Sequence, residues 1–311
     1  MNLRPLADAS RADIERFMHD VAAGKTAVRI KTGKFGLARV AGGKGTATRT
    51  LGLLGAIFTY AVRQGLRPDN PCALVTKFAD GQRERRLSDE EYAALGGALR
   101  QAEAAMRQAE AEGEAVAGYG VRRRTATIWP PAIAAARFIA LTGWRLGEVA
   151  GLRWAEIDLA RRTATLADSK TGRSMRPLSH ATCDVLRSMW QMAGMTGDRV
   201  FPPTRGGADT VLNLKKFWPR IAKLGGLPAD VTPHVLRHSF ASLAADIGYS
   251  EPTIGALVGY KGHSATSRYV HSADAVLLAA ADAVANRTAE LMCEAPAGAV
   301  IVLLRQAAVA G

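Results

Sequence analysis

Apolar residues recur at helical rather than strand spacing along nearly the whole chain, which restricts it to a mainly helical fold. Ile14, Phe17, Met18 and Val21 form one stripe, opened by Ser10 and Asp13 in capping-box positions and closed by Gly24. Leu51, Leu54, Ile57, Phe58, Ala61 and Val62 form a second, in a run starting at Thr46 and ending near Gly65, ahead of Pro68 and Pro71. Residues 133–141 read as a buried helix. The alanine-rich residues 272–292 read as one amphipathic helix, striped by Val276, Leu277, Ala280, Val284 and Leu291. Residues 163–166 and 175–178 read instead as two short strands, joined through a Lys170-Thr171-Gly172 turn. The expected fold class is mainly α with a small β-hairpin (α+β).

A charged linker, Gly81-Gln82-Arg83-Glu84-Arg85-Arg86, precedes a second capping box at Ser88-Asp89-Glu90-Glu91 and marks a domain boundary. Residues 1–82 are expected to form a small basic helical domain with no strands, and residues 87–293 a larger domain. Residues 294–311 form a tail, flexible or docking, whose apolar stretch 299–304 is too short to span a bilayer.

Charge narrows the partner. Lys and Arg number 41 against 28 Asp and Glu, so a formal charge of +13 favours a polyanion, and nucleic acid over membrane. Lys25, Arg29, Lys31, Lys34, Arg39, Lys44 and Arg49 follow one another with no acidic residue between, a pattern suited to tracking a phosphate backbone. No apolar run approaches membrane-spanning length and no signal peptide is evident, so a cytoplasmic location is expected. Cys72, Cys183 and Cys293 are widely spaced and odd in number, and read as reduced structural thiols rather than disulfides or zinc ligands.

Three segments place phosphate ligands at turns or helix starts. In Leu141-Thr142-Gly143-Trp144-Arg145-Leu146-Gly147-Glu148, a glycine turn delivers Arg145 to the first turn of a helix, with Glu148 one turn on to orient it. Taken singly, such an arginine is as well explained by a surface salt bridge. In Thr232-Pro233-His234-Val235-Leu236-Arg237-His238, Thr232 suits an N-cap and Pro233 the first helical position, so His234 and Arg237 share a face. His234 and His238 lack a third metal ligand nearby, and His238 reads as structural. The third segment is Ser264-Ala265-Thr266-Ser267-Arg268-Tyr269-Val270-His271, after the glycine-rich Val258-Gly259-Tyr260-Lys261-Gly262-His263. A lone helical tyrosine is ordinarily a half-buried core residue.

Together, an arginine turn, a lysine hairpin, His-x-x-Arg and a tyrosine, in that order, resemble the tyrosine recombinase (phage integrase) family, with Leu-Thr-Gly-x-Arg-x-x-Glu, His-x-Leu-Arg-His and Arg-Tyr-x-His all present. The resemblance runs from about Leu87 to Met292, and more loosely before it. It implies a helical, SAM-like core-DNA-binding domain followed by a tyrosine recombinase catalytic domain. Arg145 and Arg237 match the family's phosphate-clamping arginines, Lys170 its hairpin lysine, His234 its histidine and Tyr269 its nucleophile. The family's Gly-His or Gly-Trp pair is here Gly259-Tyr260, so either Tyr260 or His263 supplies the remaining hydrogen bond.

The resemblance implies site-specific cleavage and rejoining of double-stranded DNA through a 3′-phosphotyrosine, a homotetramer in the synaptic complex, and possible accessory DNA-bending proteins at the nucleoid. Neither a cofactor nor a metal is expected, and the chain shows no P-loop and no carboxylate cluster. The short lead before Ser10 predicts a copy without an arm-binding domain. Two alternatives remain: a type IB topoisomerase-like activity, or a catalytically impaired DNA-binding relic.

Overall fold

The computed structural model describes residues 8–33, 36–79, 85–111, 128–166, 174–193, 197–205, 210–260 and 274–294. The chain divides into two compact units, residues 1–83 and 84–311.

In the first unit, α1 (Arg11–Ala22) starts at the capping box, where the Ser10 hydroxyl accepts from the Asp13 N–H and the Asp13 carboxylate accepts from the Ser10 N–H. It packs on α2 (Lys44–Arg63) through Ile14, Met18, Val21, Ala47, Leu51 and Phe58. The stretch between them corrects the sequence reading. It is an antiparallel hairpin of β1 (Val28–Lys31) and β2 (Leu37–Val40), pairing Val28 with Val40, Arg29 with Arg39, Ile30 with Ala38 and Lys31 with Leu37. Valine and isoleucine alternating with arginine and lysine is a strand pattern. Only β1 carries it, because in β2 Leu37 sits opposite Lys31 on the basic face, and both faces of the hairpin are largely exposed.

The second unit is built around α4 (Pro130–Thr142), whose residues are nearly all buried, as befits a helix apolar on every side. Around it lie α3 (Asp89–Ala111), α5 (Leu146–Gly151), α6 (His180–Ala193), α7 (Leu214–Leu224), α8 (Pro233–Asp246) and α10 (Asp274–Leu291), while α9 (Glu251–Val258) rests on α8 and α10. The predicted hairpin is part of a three-stranded antiparallel sheet in the order β3 (Ile157–Asp158), β4 (Thr163–Leu166), β5 (Ser174–Pro177). Two residues are too few to carry a visible alternation, which hid β3. Of the predicted α10 stripe, Ala280 and Val284 are buried and pack at home beside Ala281, Ala285 and Ala289, Leu277 and Leu291 are partly buried, and Val276 is exposed.

Cys72 and Cys183 are buried, and burial pushes the Cys183 thiol up to about 11, as expected of an inert structural thiol. Cys293 departs from that reading, being exposed. Among the described residues, no helix is long and apolar enough to cross a membrane. Apart from Glu294, the predicted tail lies outside the described residues.

Candidate active site

Three helix termini in the second unit converge on one spot. Gly143 ends α4 in the left-handed conformation (φ +63), where a Cβ would lie 2.7 Å from the Phe240 ring of α8. The chain therefore turns tightly at this point. Buried Trp144 follows, then Arg145 as the extended N-cap residue of α5. The Glu148 carboxylate accepts from the Arg145 backbone N–H at 3.0 Å and from its Nη1 at 2.9 Å, so the predicted orienting contact is present. That Nη1 also donates to the Gly259 carbonyl at 3.1 Å.

Arg237 approaches from α8. Its side chain is among the largest fully enclosed ones, and Nη1 donates to the carbonyls of Gly143 and Val258, each at 2.7 Å. Nη2 is buried with no hydrogen-bond partner among the described residues. A buried guanidinium N–H left unpaired is costly, so this position favours an anion. Burial pushes the Arg237 pKa down, opposed by the neighbouring Tyr260 side chain.

Tyr260, directly after the α9 cap at Gly259, sets its ring over both arginines, 4.5 Å from the Arg237 guanidinium carbon and 5.5 Å from that of Arg145. It is half exposed. His234 is exposed at the start of α8, and its Nε2 lies 3.0 Å from Nε2 of His238. Partial desolvation of its ring, followed by the nearby charges of His238, Arg237 and Arg145, lowers the His234 pKa below its ordinary 6.5. Thr232 holds the N-cap position but makes no side-chain capping bond.

Arg145, His234, Arg237 and Tyr260 are thus brought together, while Lys170, His263 and Tyr269 lie outside the described residues. The phage integrase family model matches residues 121–275, a span that includes every one of these seven positions. This chain belongs to the phage integrase family.

Among its relatives is the tyrosine recombinase XerC of Xanthomonas axonopodis pv. citri, 29% identical over 131 residues. That match takes in 42% of this chain and 43% of the XerC protein, so the chain covers well under half of that relative's length. Its fold is similar to that of a lambda integrase dimer bound to a COC′ core site (TM-score 0.58, 19% identity, 86% of this chain and 82% of that one). It is also similar to a lambda integrase tetramer bound to a Holliday junction (TM-score 0.56, 19% identity, 85% and 68%).

Two features of this family member's site escaped the sequence. His238, read as structural, is in hydrogen-bond contact with the candidate base. Arg176 of β5 is wholly buried against Glu148. In β5 the apolar Met175 is exposed and the charged Arg176 faces inward, the reverse of what residue type suggests, so the sequence carried no signal for it.

On the first unit, Arg29, Lys31 and Arg39 share one face of the hairpin, and all are exposed. Lys25, Lys44 and Arg49 are also exposed, though Lys25 pairs with Asp20 at 2.7 Å. Lys34 lies outside the described residues.

Proposed function

We propose that the protein is a site-specific tyrosine recombinase that cleaves and rejoins duplex DNA. The observation carrying this reading is the pair Arg145 and Arg237, fixed from separate helices beneath one aromatic ring, with an Arg237 nitrogen buried and without a hydrogen-bond partner among the described residues. Guanidinium groups fixed before the substrate arrives stabilise charge building on the non-bridging oxygens of a phosphodiester without reorganising.

The Tyr269 oxygen attacks the scissile phosphorus and the bond to the 5′ oxygen breaks. His234 accepts the phenolic proton, for which its lowered pKa keeps it unprotonated, and Lys170 protonates the leaving 5′ oxygen. The product is a 3′-phosphotyrosine and a free 5′-hydroxyl. A partner strand's 5′-hydroxyl then attacks the phosphotyrosine, releasing Tyr269 and restoring the phosphodiester, so no external energy source is needed. Tyr260 donates its hydroxyl hydrogen to the same phosphate, in the place that His or Trp fills in the family; His263 is the other candidate for that role.

Residues 1–82 act as the core-DNA-binding domain, with Lys25, Arg29, Lys31, Lys34, Arg39, Lys44 and Arg49 on backbone phosphates, and residues 87–293 as the catalytic domain. Four copies assemble on paired sites, as the Holliday-junction tetramer of lambda integrase does. The setting is the cytoplasm and nucleoid, with accessory DNA-bending proteins, and the task is to integrate or excise a phage or genomic island.

Incubation with a nicked suicide duplex tests the chemistry: the parent is expected to form a slow-migrating covalent adduct and Tyr269→Phe none, while both bind DNA. An undiminished adduct in Tyr269→Phe would remove Tyr269 from the role, and no adduct with the parent would favour the impaired DNA-binding alternative.

A further inference from the structure

Glu148 presents a problem for a site that must hold a phosphate. Its carboxylate is nearly enclosed and touches Arg145, and a one-to-one pair of that kind would cancel the charge on which the clamp depends. The structure contains a second cation at this carboxylate. Arg176 donates from Nη1 to Glu148 Oε2 at 2.8 Å and from Nη2 to Oε1 at 2.9 Å, a two-pronged pairing. Arg145 uses the same two oxygens, through its backbone N–H on Oε2 and its Nη1 on Oε1. Four donors saturate one carboxylate. Two guanidinium groups against one carboxylate leave a single net positive charge in the cluster.

The surroundings hold Arg176 rigidly. Its side chain has no exposure, and its guanidinium carbon lies 4.9 Å from the centre of the Trp144 ring. Gly259 closes over it: a Cβ there would sit 2.2 Å from Arg176 Nη2, and the residue's φ of +75 also favours glycine. The carbonyl of that same Gly259 accepts from Arg145. One guanidinium from the sheet therefore abuts the α9 terminus that carries Tyr260 and the carboxylate that orients Arg145. Among the causes that lower the Glu148 pKa against the opposing effect of burial, the bond from Arg176 ranks ahead of those from Arg145.

We propose that Arg176 is a positioning residue that neutralises Glu148, so that Glu148 can orient Arg145 without consuming the positive charge Arg145 presents to the phosphate. The proposal rests on the recombinase reading for its substrate, but its electrostatic content concerns any phosphate-shaped anion at Arg145 and Arg237.

Affinity for tungstate, measured by calorimetry on the full chain, reads the charge of the site directly. Glu148→Gln keeps a side chain that can accept from Arg145 while adding one net positive charge, and should bind tungstate more tightly than the parent by about tenfold. The double variant Glu148→Gln/Arg176→Met returns to the parental charge and should bind within a few-fold of it. Arg176→Met alone should bind about tenfold more weakly, and form the covalent adduct about a hundredfold more slowly, than the parent. Each single variant strands a buried charge, Arg176→Met the Glu148 carboxylate and Glu148→Gln the Arg176 guanidinium, and can fail to fold. The double variant removes both charges together, and its affinity relative to the parent decides the matter without either single change. Affinities that follow melting temperature rather than charge, a double variant much weaker than the parent, or no tungstate binding by any of these chains would overturn the proposal. The suicide-duplex assay runs alongside: a parent that binds tungstate in the expected order yet forms no adduct sinks the recombinase reading and leaves the role of Arg176 standing.

Discussion

The arginines of the candidate site in the second unit and those of the β1–β2 ribbon are held by opposite means. Arg145, Arg176 and Arg237 are fixed by carbonyls, a shared carboxylate and aromatic faces, and two of them have almost no exposure. Arg29 and Arg39 are exposed and sit directly across from one another on adjacent strands. Like charges so placed repel, and nothing acidic lies in the ribbon to offset them. A rigid, desolvated cation suits a transition state whose charge must be met without reorganisation. An exposed one suits long-range attraction to a polyanion and release of its counterions. In the proposed recombinase the two regions divide the task into rate and affinity.

The sharpest test of the first half is at Tyr260, whose ring covers both clamp arginines. Tyr260→Phe preserves the ring and deletes one donor, so adduct formation should fall by roughly tenfold to a thousandfold, the cost of one transition-state hydrogen bond. Tyr260→His should keep or raise the rate. A silent Tyr260→Phe combined with loss of adduct in His263→Ala would transfer the role to His263.

Legibility followed the same division. Arg145, His234 and Arg237 could be read because each sits in a local signal, a glycine turn or a Pro-started helix, that dictates its own geometry. Glu148 was legible because it lies within one helical turn of its partner. Arg176 was not, since its partner is 28 positions away and only the folded sheet brings the two together. The ribbon was missed for another reason: only β1 alternates, and in β2 Leu37 falls on the face of the basic residues, so the second strand carries no clean period-two pattern. His238 was judged by the absence of a metal ligand, which left its contact with His234 unconsidered.

A smaller effect is expected at that histidine pair. A proton acceptor works unprotonated, so a His234 pKa held below 6.5 by partial desolvation, then by His238, Arg237 and Arg145, extends activity to lower pH. The acid limb of the cleavage rate is expected below pH 6.5 in the parent. His238→Gln removes one of the positive neighbours, so the limb should move upward; a limb that stays put, or moves down, would show that His238 does not tune His234.

The smallest effect belongs to the ribbon. Two-stranded hairpins are marginal alone and this one packs neither face, so its exposed cations are better explained by a partner than by folding. A two-stranded ribbon is also narrow enough for the DNA major groove. Arg29→Ala and Arg39→Ala should each weaken DNA binding only a few-fold at moderate salt and lower the slope of log affinity against log salt by about one, as for the loss of a single phosphate contact. Because each change also relieves the cross-strand repulsion, the melting temperature of the free protein should stay level or rise. Unchanged salt slopes would move the phosphate contacts to Lys44 and Arg49 of α2. A fall in melting temperature would mean that the arginines hold the ribbon together, and the contrast with the catalytic cluster would be lost.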